Sequence, residues 1–367
     1  MSDVDATSEL PDRATVEDTV RVVIDHAPRI FQWNYDRSRP QLVTLYNKAM
    51  GSQWNSVTDL DWATDVDPEQ MVATQADPNP IRNIARVAID LPGSPIASWG
   101  EKELNQLGLE ILKAQLSQFM HGEQGAMMVA AKIVETVPWI DAKYYAATQT
   151  MDEARHTEVF ARYLHEKLGE SYPMSPFLEA QVMALIEDSR WDVAYLGMQI
   201  VIESLALAAF GGMLRAATEP LLKKLLRYVV ADEARHVAFG VLSLSEYYRD
   251  LSAAELKDRQ EILLEATVNN RSRSTTPEVW ERMGVGAEVI PYLKDAAKQM
   301  GNTVDSGFIG SFYAKLVPNV RKLGLLDAND GYLRERWGQY GLLQFDAGDD
   351  TSVDYESYDA VAADRRA

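Results

Sequence analysis

Along most of the chain, apolar residues recur at three- and four-residue spacing, the period of a helix buried on one face. The signal is strongest over residues 101–136, a proline-free run that predicts one long helix. Pro138 marks its end, and Asp141 is placed to cap a second helix that runs to about Leu168, with Gly169 just beyond as a stop. A third helical stretch is predicted over 176–217. Pro220 opens a fourth, which reaches about Tyr248, since proline fits the first turn of a helix. Four long segments joined by short turns predict a bundle of antiparallel neighbours. Helical periodicity continues at 252–268, 277–283, 287–300, 305–323 and 328–338, short helices are expected within 16–56, and strong strand-type alternation is not evident. The predicted fold is all-α: a four-helix-bundle core with additional N- and C-terminal helices. Residues 1–15 are expected to be a flexible N-terminus. Residues 16–345 are read as a single domain with its core at about 100–250, and residues 346–367 as an acidic, disordered tail.

Composition then narrows the chemistry. The 367 residues include no cysteine, which excludes disulfides, thiolate zinc sites, cysteine-ligated iron–sulfur clusters and cysteine nucleophiles. Such a chain fits a reducing compartment, and a cytoplasmic location is expected. A formal net charge of −19 argues against a nucleic-acid partner, which would need a basic face. The acidic N-terminus lacks the apolar core of a signal peptide, and Glu, Lys and Arg interrupt the internal apolar runs, so no membrane span is expected. The segment QWNSVTDLDW at 53–62 reads as a packed connector, and Glu103, Glu110 and Glu135, taken singly, as surface groups.

Two of the five histidines lie in nearly identical sentences, MDEARH at 151–156 and ADEARH at 231–236. Each contains Glu-x-x-His, and residues three apart on a helix share a face, so Glu153/His156 and Glu233/His236 can each point a carboxylate and an imidazole at one place. Glu123 precedes Glu153 by thirty residues, as Glu203 precedes Glu233, and the two halves repeat at an offset of eighty. Thirty residues is about one helix, a turn and part of the way back, so the paired glutamates can meet at one height. Glu203 sits in the apolar run QIVIESLALAAF, where a lone buried carboxylate is costly unless paired or metal-bound. Four carboxylates and two imidazoles would neutralise and hold two divalent ions of the iron or manganese type. Asp152 and Asp232 stand four residues before the histidines, placed to accept from an imidazole or to pair with Arg155 and Arg235.

This order of residues resembles the ferritin-like di-iron carboxylate superfamily, whose four core helices carry Glu, Glu-x-x-His, Glu and Glu-x-x-His. The doubled DEARH is similar to the ribonucleotide reductase small subunit, the bacterial multicomponent monooxygenase hydroxylases and the acyl-carrier desaturases, with aminobenzoate N-oxygenases as a further relative. The resemblance spans about residues 100–250. It implies Glu123, Glu153 and His156 around one iron and Glu203, Glu233 and His236 around the other, with Glu153 and Glu233 as the bridging, catalytic carboxylates. Manganese is an alternative metal. The chain departs from each branch in turn. Phe160 stands where reductase radical subunits usually keep a tyrosine, Leu207 where the multicomponent monooxygenases place a threonine, and Val229 where the N-oxygenases carry an extra histidine.

Phe119, Met127, Gln149, Phe160, Gln199 and Leu207, one turn from the ligands, are expected to line the substrate side. The implied function is a dioxygen-activating di-iron oxidoreductase, a monooxygenase acting on a small hydrophobic or aromatic substrate. The alternatives are a radical-generating protein like the reductase small subunit, and a peroxide-scavenging or iron-handling protein. With no dinucleotide fingerprint in the chain, electrons are expected from a separate ferredoxin or flavin reductase. The family and the long helices suggest a homodimer.

Overall fold

The structure, a computed structural model, describes residues 23–74, 81–271, 277–301 and 307–362. The expected flexible segment 1–15 lies outside them. Fifteen α-helices occur among the described residues, and no strand. Three short ones lead in: α1 (Pro40–Gly51), α2 (Pro68–Thr74) and α3 (Ile81–Ile89). The bundle follows: α4 (Glu101–Thr136), α5 (Ile140–Tyr163), α6 (Pro176–Glu187), α7 (Trp191–Tyr195), α8 (Glu203–Ala216) and α9 (Pro220–Tyr247). The rest are α10 (Ala253–Arg271), α11 (Pro277–Arg282), α12 (Ile290–Gln299), α13 (Gly307–Lys322), α14 (Ala328–Gln339) and α15 (Thr351–Ala362).

The core is four antiparallel rods. Helix α4 packs along α5, and α8 along α9. Side-chain layers give their polarity. Phe119 of α4 meets Phe160 of α5, while Tyr145 of α5 meets Phe239 of α9. Helix α5 therefore runs opposite to both α4 and α9. Helix α6 braces α4, α1 covers α5 and α9, and α13 backs α8. Gly125 lets α6 approach: a Cβ there would stand 2.6 Å from Val182 Cγ1. A second, smaller core gathers Ala85, Ala88, Leu107, Trp280 and Val289 from α3, the start of α4, and the region of α11 and α12.

Several expectations change. The helix predicted over 176–217 is broken at residues 188–190, where the Asp188 carboxylate accepts from the Arg190 backbone N–H and competes with helix. It then passes through a π-helical turn, Leu196–Ile202, before α8. Asp141 is not the cap of α5; it lies in the first turn and binds Arg37 and the backbone N–H of Arg39. The acidic tail is helical: α15 packs on α9 with Thr351 and Tyr355 buried, tied down by Lys48–Glu356 and Lys315–Asp354 pairs. Residues 363–367 lie outside the described residues. Glu110 is buried as well, accepting from Tyr172 at 2.6 Å and Lys113 at 3.2 Å. The stretch Trp191–Ala216 is long and apolar enough to cross a membrane by length and composition, but 78% of its apolar window is buried inside the bundle.

Candidate metal centre

Each rod of the bundle delivers its part of the predicted constellation to one level. Helix α4 brings Glu123, α5 brings Glu153 and His156, α8 brings Glu203 as its first residue, and α9 brings Glu233 and His236. All six are buried, the most accessible at 4%. They form two overlapping sets, Glu123–Glu153–His156–Glu233 and Glu153–Glu203–Glu233–His236, whose ligand atoms lie within 4.8 Å of one another. Glu153 and Glu233 belong to both sets, the position of a bridge.

The ligand atoms crowd around the inward nitrogen of each imidazole. His156 Nδ1 lies 3.0 Å from Glu233, 3.3 Å from Glu123 and 3.4 Å from Glu153. His236 Nδ1 lies 3.0 Å from Glu153 and 3.4 Å from Glu233. Yet Glu153 Oε2, both oxygens of Glu233 and His236 Nδ1 have no hydrogen-bond partner. Buried, unpartnered and converging donors are what a metal satisfies, since leaving them unpaired costs several kcal/mol each, on the order of an uncompensated buried charge. The residues therefore fit a two-metal site, and the oxygen-rich donor set with one imidazole per position suits iron or manganese.

Without metal the centre holds protons instead. Burial, and then the charge of Glu233, push the carboxyls of Glu123 and Glu203 well above the usual range. Burial also raises Glu153, but the charge of His236 and contacts with both imidazoles outweigh it and hold Glu153 well below. Glu233 is likewise held low against burial and the charge of Glu153, by the adjacent Glu203 carboxyl and the nearby imidazoles. Burial opposes ionisation of the imidazoles, yet the surrounding carboxylates raise both well above normal, led by Asp232 for His156 and by Glu153 for His236.

The outer contacts are crossed between helices. His156 of α5 donates through Nε2 to Asp232 of α9 at 3.1 Å, and His236 of α9 donates to Asp152 of α5 at 3.4 Å. This sets Nδ1 of each ring as the inward nitrogen. Arg155 bonds Asp152 and reaches Asp232 at 3.3 Å, and Arg235 bonds Asp232.

The connector after α1 supplies two contacts that the sequence pattern did not reveal. Trp54 donates its indole N–H to Asp232 at 2.7 Å, and Gln53 donates to Asp152 at 3.1 Å. Adjacent residues thus hold both carboxylates that orient the imidazoles. Arg155 lies over the Trp54 ring at 4.6 Å, and Trp54 stacks on Tyr228 at 4.8 Å. The available signal was the pair Trp54 and Trp62 in a turn-prone stretch.

The side chains one turn from the ligands separate into two ends. Phe119, Phe160 and Phe210 pack together at centroid distances of 4.5–5.9 Å, on the side that holds the buried Leu207. At the opposite end Gln149 donates to Glu153 at 3.0 Å and to Glu203 at 3.1 Å, and Gln199 donates to Gln149 at 3.2 Å. Beyond them lies Tyr145, against Phe239, its hydroxyl without a partner. Met127 is only partly buried. The expected lining is thus an apolar end and an amide end, with the metal site between them.

Fold and centre together define an all-α, four-helix-bundle protein with a buried two-metal carboxylate–imidazole site. No family model and no curated protein sequence matches the chain. Among solved structures it is similar to R2-like ligand-binding oxidase with aerobically reconstituted Mn/Fe cofactor, at 13% identity and a TM-score of 0.43, over 81% of this chain and 96% of that one. A single-residue variant of the same oxidase with anaerobically reconstituted cofactor aligns at 16% identity and a TM-score of 0.41, over 79% and 93% of the two chains.

Proposed function

We propose that this protein is a dioxygen-activating di-metal oxidoreductase that oxidises a small hydrophobic or aromatic substrate. The observation that carries the reading is the pair of overlapping buried ligand sets sharing Glu153 and Glu233. A bound pair of iron ions, or of manganese and iron, supplies the reduction of dioxygen and the oxidising power. The chain's own residues do the rest. Glu123 and Glu203 would each serve one metal position, and Glu153 and Glu233 would serve both. Asp232 and Asp152 hold the imidazoles with Nδ1 inward. The aromatic cluster of Phe119, Phe160 and Phe210 excludes water from one side and offers an apolar surface to an organic substrate. Monooxygenation is the reaction class this apolar surface favours. In this reading a ferredoxin or flavin reductase supplies electrons, the protein acts as a cytoplasmic homodimer, and neither nucleic acid nor membrane takes part.

A second reading, a radical- or electron-storing protein, is favoured by one feature. Trp54, Asp232 and His156 form a continuous hydrogen-bonded path leading out from the centre. Phe160 lacks the hydroxyl that a radical store on α5 would use at that position.

The test is anaerobic loading with ferrous iron, or with manganese and iron, followed by elemental analysis and exposure to dioxygen. Two metals per chain and dioxygen uptake that rises with an apolar substrate are expected. Dioxygen uptake that yields a long-lived organic radical and no oxidised product would favour the second reading. Loss of Glu203 should abolish two-metal loading; retention of both ions in Glu203→Ala would refute the ligand assignment.

A further inference from the structure

We infer that Gln149, held in place by Gln199, is a positioning residue for only one of the two metal positions, the one built by Glu203 and His236. The inference rests on the di-metal reading above and extends it to residues outside the ligand set.

The amide chain has a fixed direction. Gln149 Nε2 lies 3.0 Å from Glu153 Oε1 and 3.1 Å from Glu203 Oε1. An amide oxygen in that place would face two carboxylate oxygens, so the NH2 must point at the glutamates. The Gln149 oxygen then points away and accepts from Gln199 Nε2 at 3.2 Å. Both side chains are fully buried, so solvent does not compete for these bonds. Gln199 is itself fixed by its backbone. It lies in the π-helical turn, and α9 presses against it at Gly240, where a Cβ would stand 2.5 Å from Gln199 Cβ.

The other position has no such device. Glu123 meets His156 Nδ1 at 3.3 Å, and no amide donates to it among the described residues. The consequence is an asymmetry that the repeated Glu-x-x-His sentences conceal. Glu203 has one oxygen committed to an amide, whereas neither oxygen of Glu123 accepts from one. A donor fixed against a ligating carboxylate orients it and lowers the cost of its ionised form. Removing such a contact typically weakens metal binding by about 10–100-fold.

Manganous ion alone is the probe, with free ion read by electron paramagnetic resonance during equilibrium dialysis. Gln149→Leu is compared with its parent in two single-position backgrounds. Glu123→Ala leaves the position of Glu203 and His236; Glu203→Ala leaves the position of Glu123 and His156. In the first background Gln149→Leu should weaken the remaining site roughly 10–100-fold. In the second the change should stay within about threefold, because only the shared Glu153 loses a donor. Gln199→Leu, which leaves Gln149 present but unheld, should act in the same direction and more weakly in the first background. Unchanged helical circular dichroism shows that each variant is folded. Equal weakening in both backgrounds, or none in the first, would overturn the inference while two-ion binding by the wild-type chain left the di-metal reading standing. A wild-type chain that takes up fewer than two manganous ions would overturn both.

Discussion

Loading the centre with metal should expel close to four protons for every two divalent ions. Without metal, Glu123 and Glu203 are raised well above the usual carboxylate range, and both imidazoles well above theirs, while Glu153 and Glu233 are held low. With each group in the form its shift favours, the six are two carboxylic acids, two carboxylates and two imidazoliums, with no net charge. Ligation needs four carboxylates and two neutral imidazoles, a net charge of minus four, which two dications cancel. Two ions entering and four protons leaving is thus a neutral exchange in a buried site, where any residual charge would be costly. Each proton displaced makes loading more favourable by about 1.36 kcal/mol per pH unit, so the pair gains roughly 5 kcal/mol per unit while all four groups hold their protons. The assay is anaerobic titration calorimetry with ferrous ion in two buffers of different ionisation enthalpy, whose difference in heat counts the protons. A release of fewer than two protons near pH 6.5 would refute the reasoning, since the raised groups would then not be protonated in the empty centre.

The same groups set the stability of the metal-free chain. A group raised on folding contributes stability that is lost as pH climbs from its unfolded towards its folded value, so metal-free stability should fall from about pH 4.5 for the two carboxyls and more steeply above about pH 6.5 for the two imidazoles. The lowered Glu153, Glu233 and Asp232 act oppositely and lose their contribution as pH falls below about 4. Denaturation midpoints measured with pH should therefore peak in mild acid without metal and shift upward with metal; coincident profiles would count against it. Trp54→Phe keeps the ring but removes the 2.7 Å bond to Asp232, and urea denaturation should show a loss of about 1.5–3 kcal/mol, the range for a hydrogen bond to a charged group. Gly125→Ala brings a Cβ against Val182, so an overpacking cost of about 1–3 kcal/mol should outweigh a helix-propensity gain of about 1. In a Val182→Ala background the same change should become stabilising, and no change of sign would mean that the contact is not the cause.

The ligand set was legible because its geometry is local. A carboxylate and an imidazole three apart on a helix must share a face, and a thirty-residue return brings the next glutamate to the same height. The bundle helices were legible from the same periodicity. What escaped depended on distant or irregular contacts. Gln53 and Trp54 lie in a loop about a hundred residues or more from the carboxylates they hold, and no periodicity relates them. The break at 188–190 turns on one aspartate side chain accepting from the backbone N–H two residues on, set against otherwise strong helical patterning. The tail's acidity masks its order: α15 is held by packing on α9 and by pairs with Lys48 and Lys315, partners about forty to three hundred residues away. The division of the surroundings into an apolar and an amide end required knowing which way each rod runs.

The crossing of the outer carboxylates has a consequence for assembly. His156 takes its orienting partner from α9, and His236 takes its partner from α5. Neither half of the internal repeat can therefore finish its own site, although each carries a full Glu-x-x-His. A slip of α5 against α9 by one helical turn would separate both imidazoles from their aspartates at once and pull apart both shared glutamates. Metal uptake thus acts as a check on the registration of the two helices, and a chain misaligned at this seam would be left holding buried charges that no ion arrives to balance.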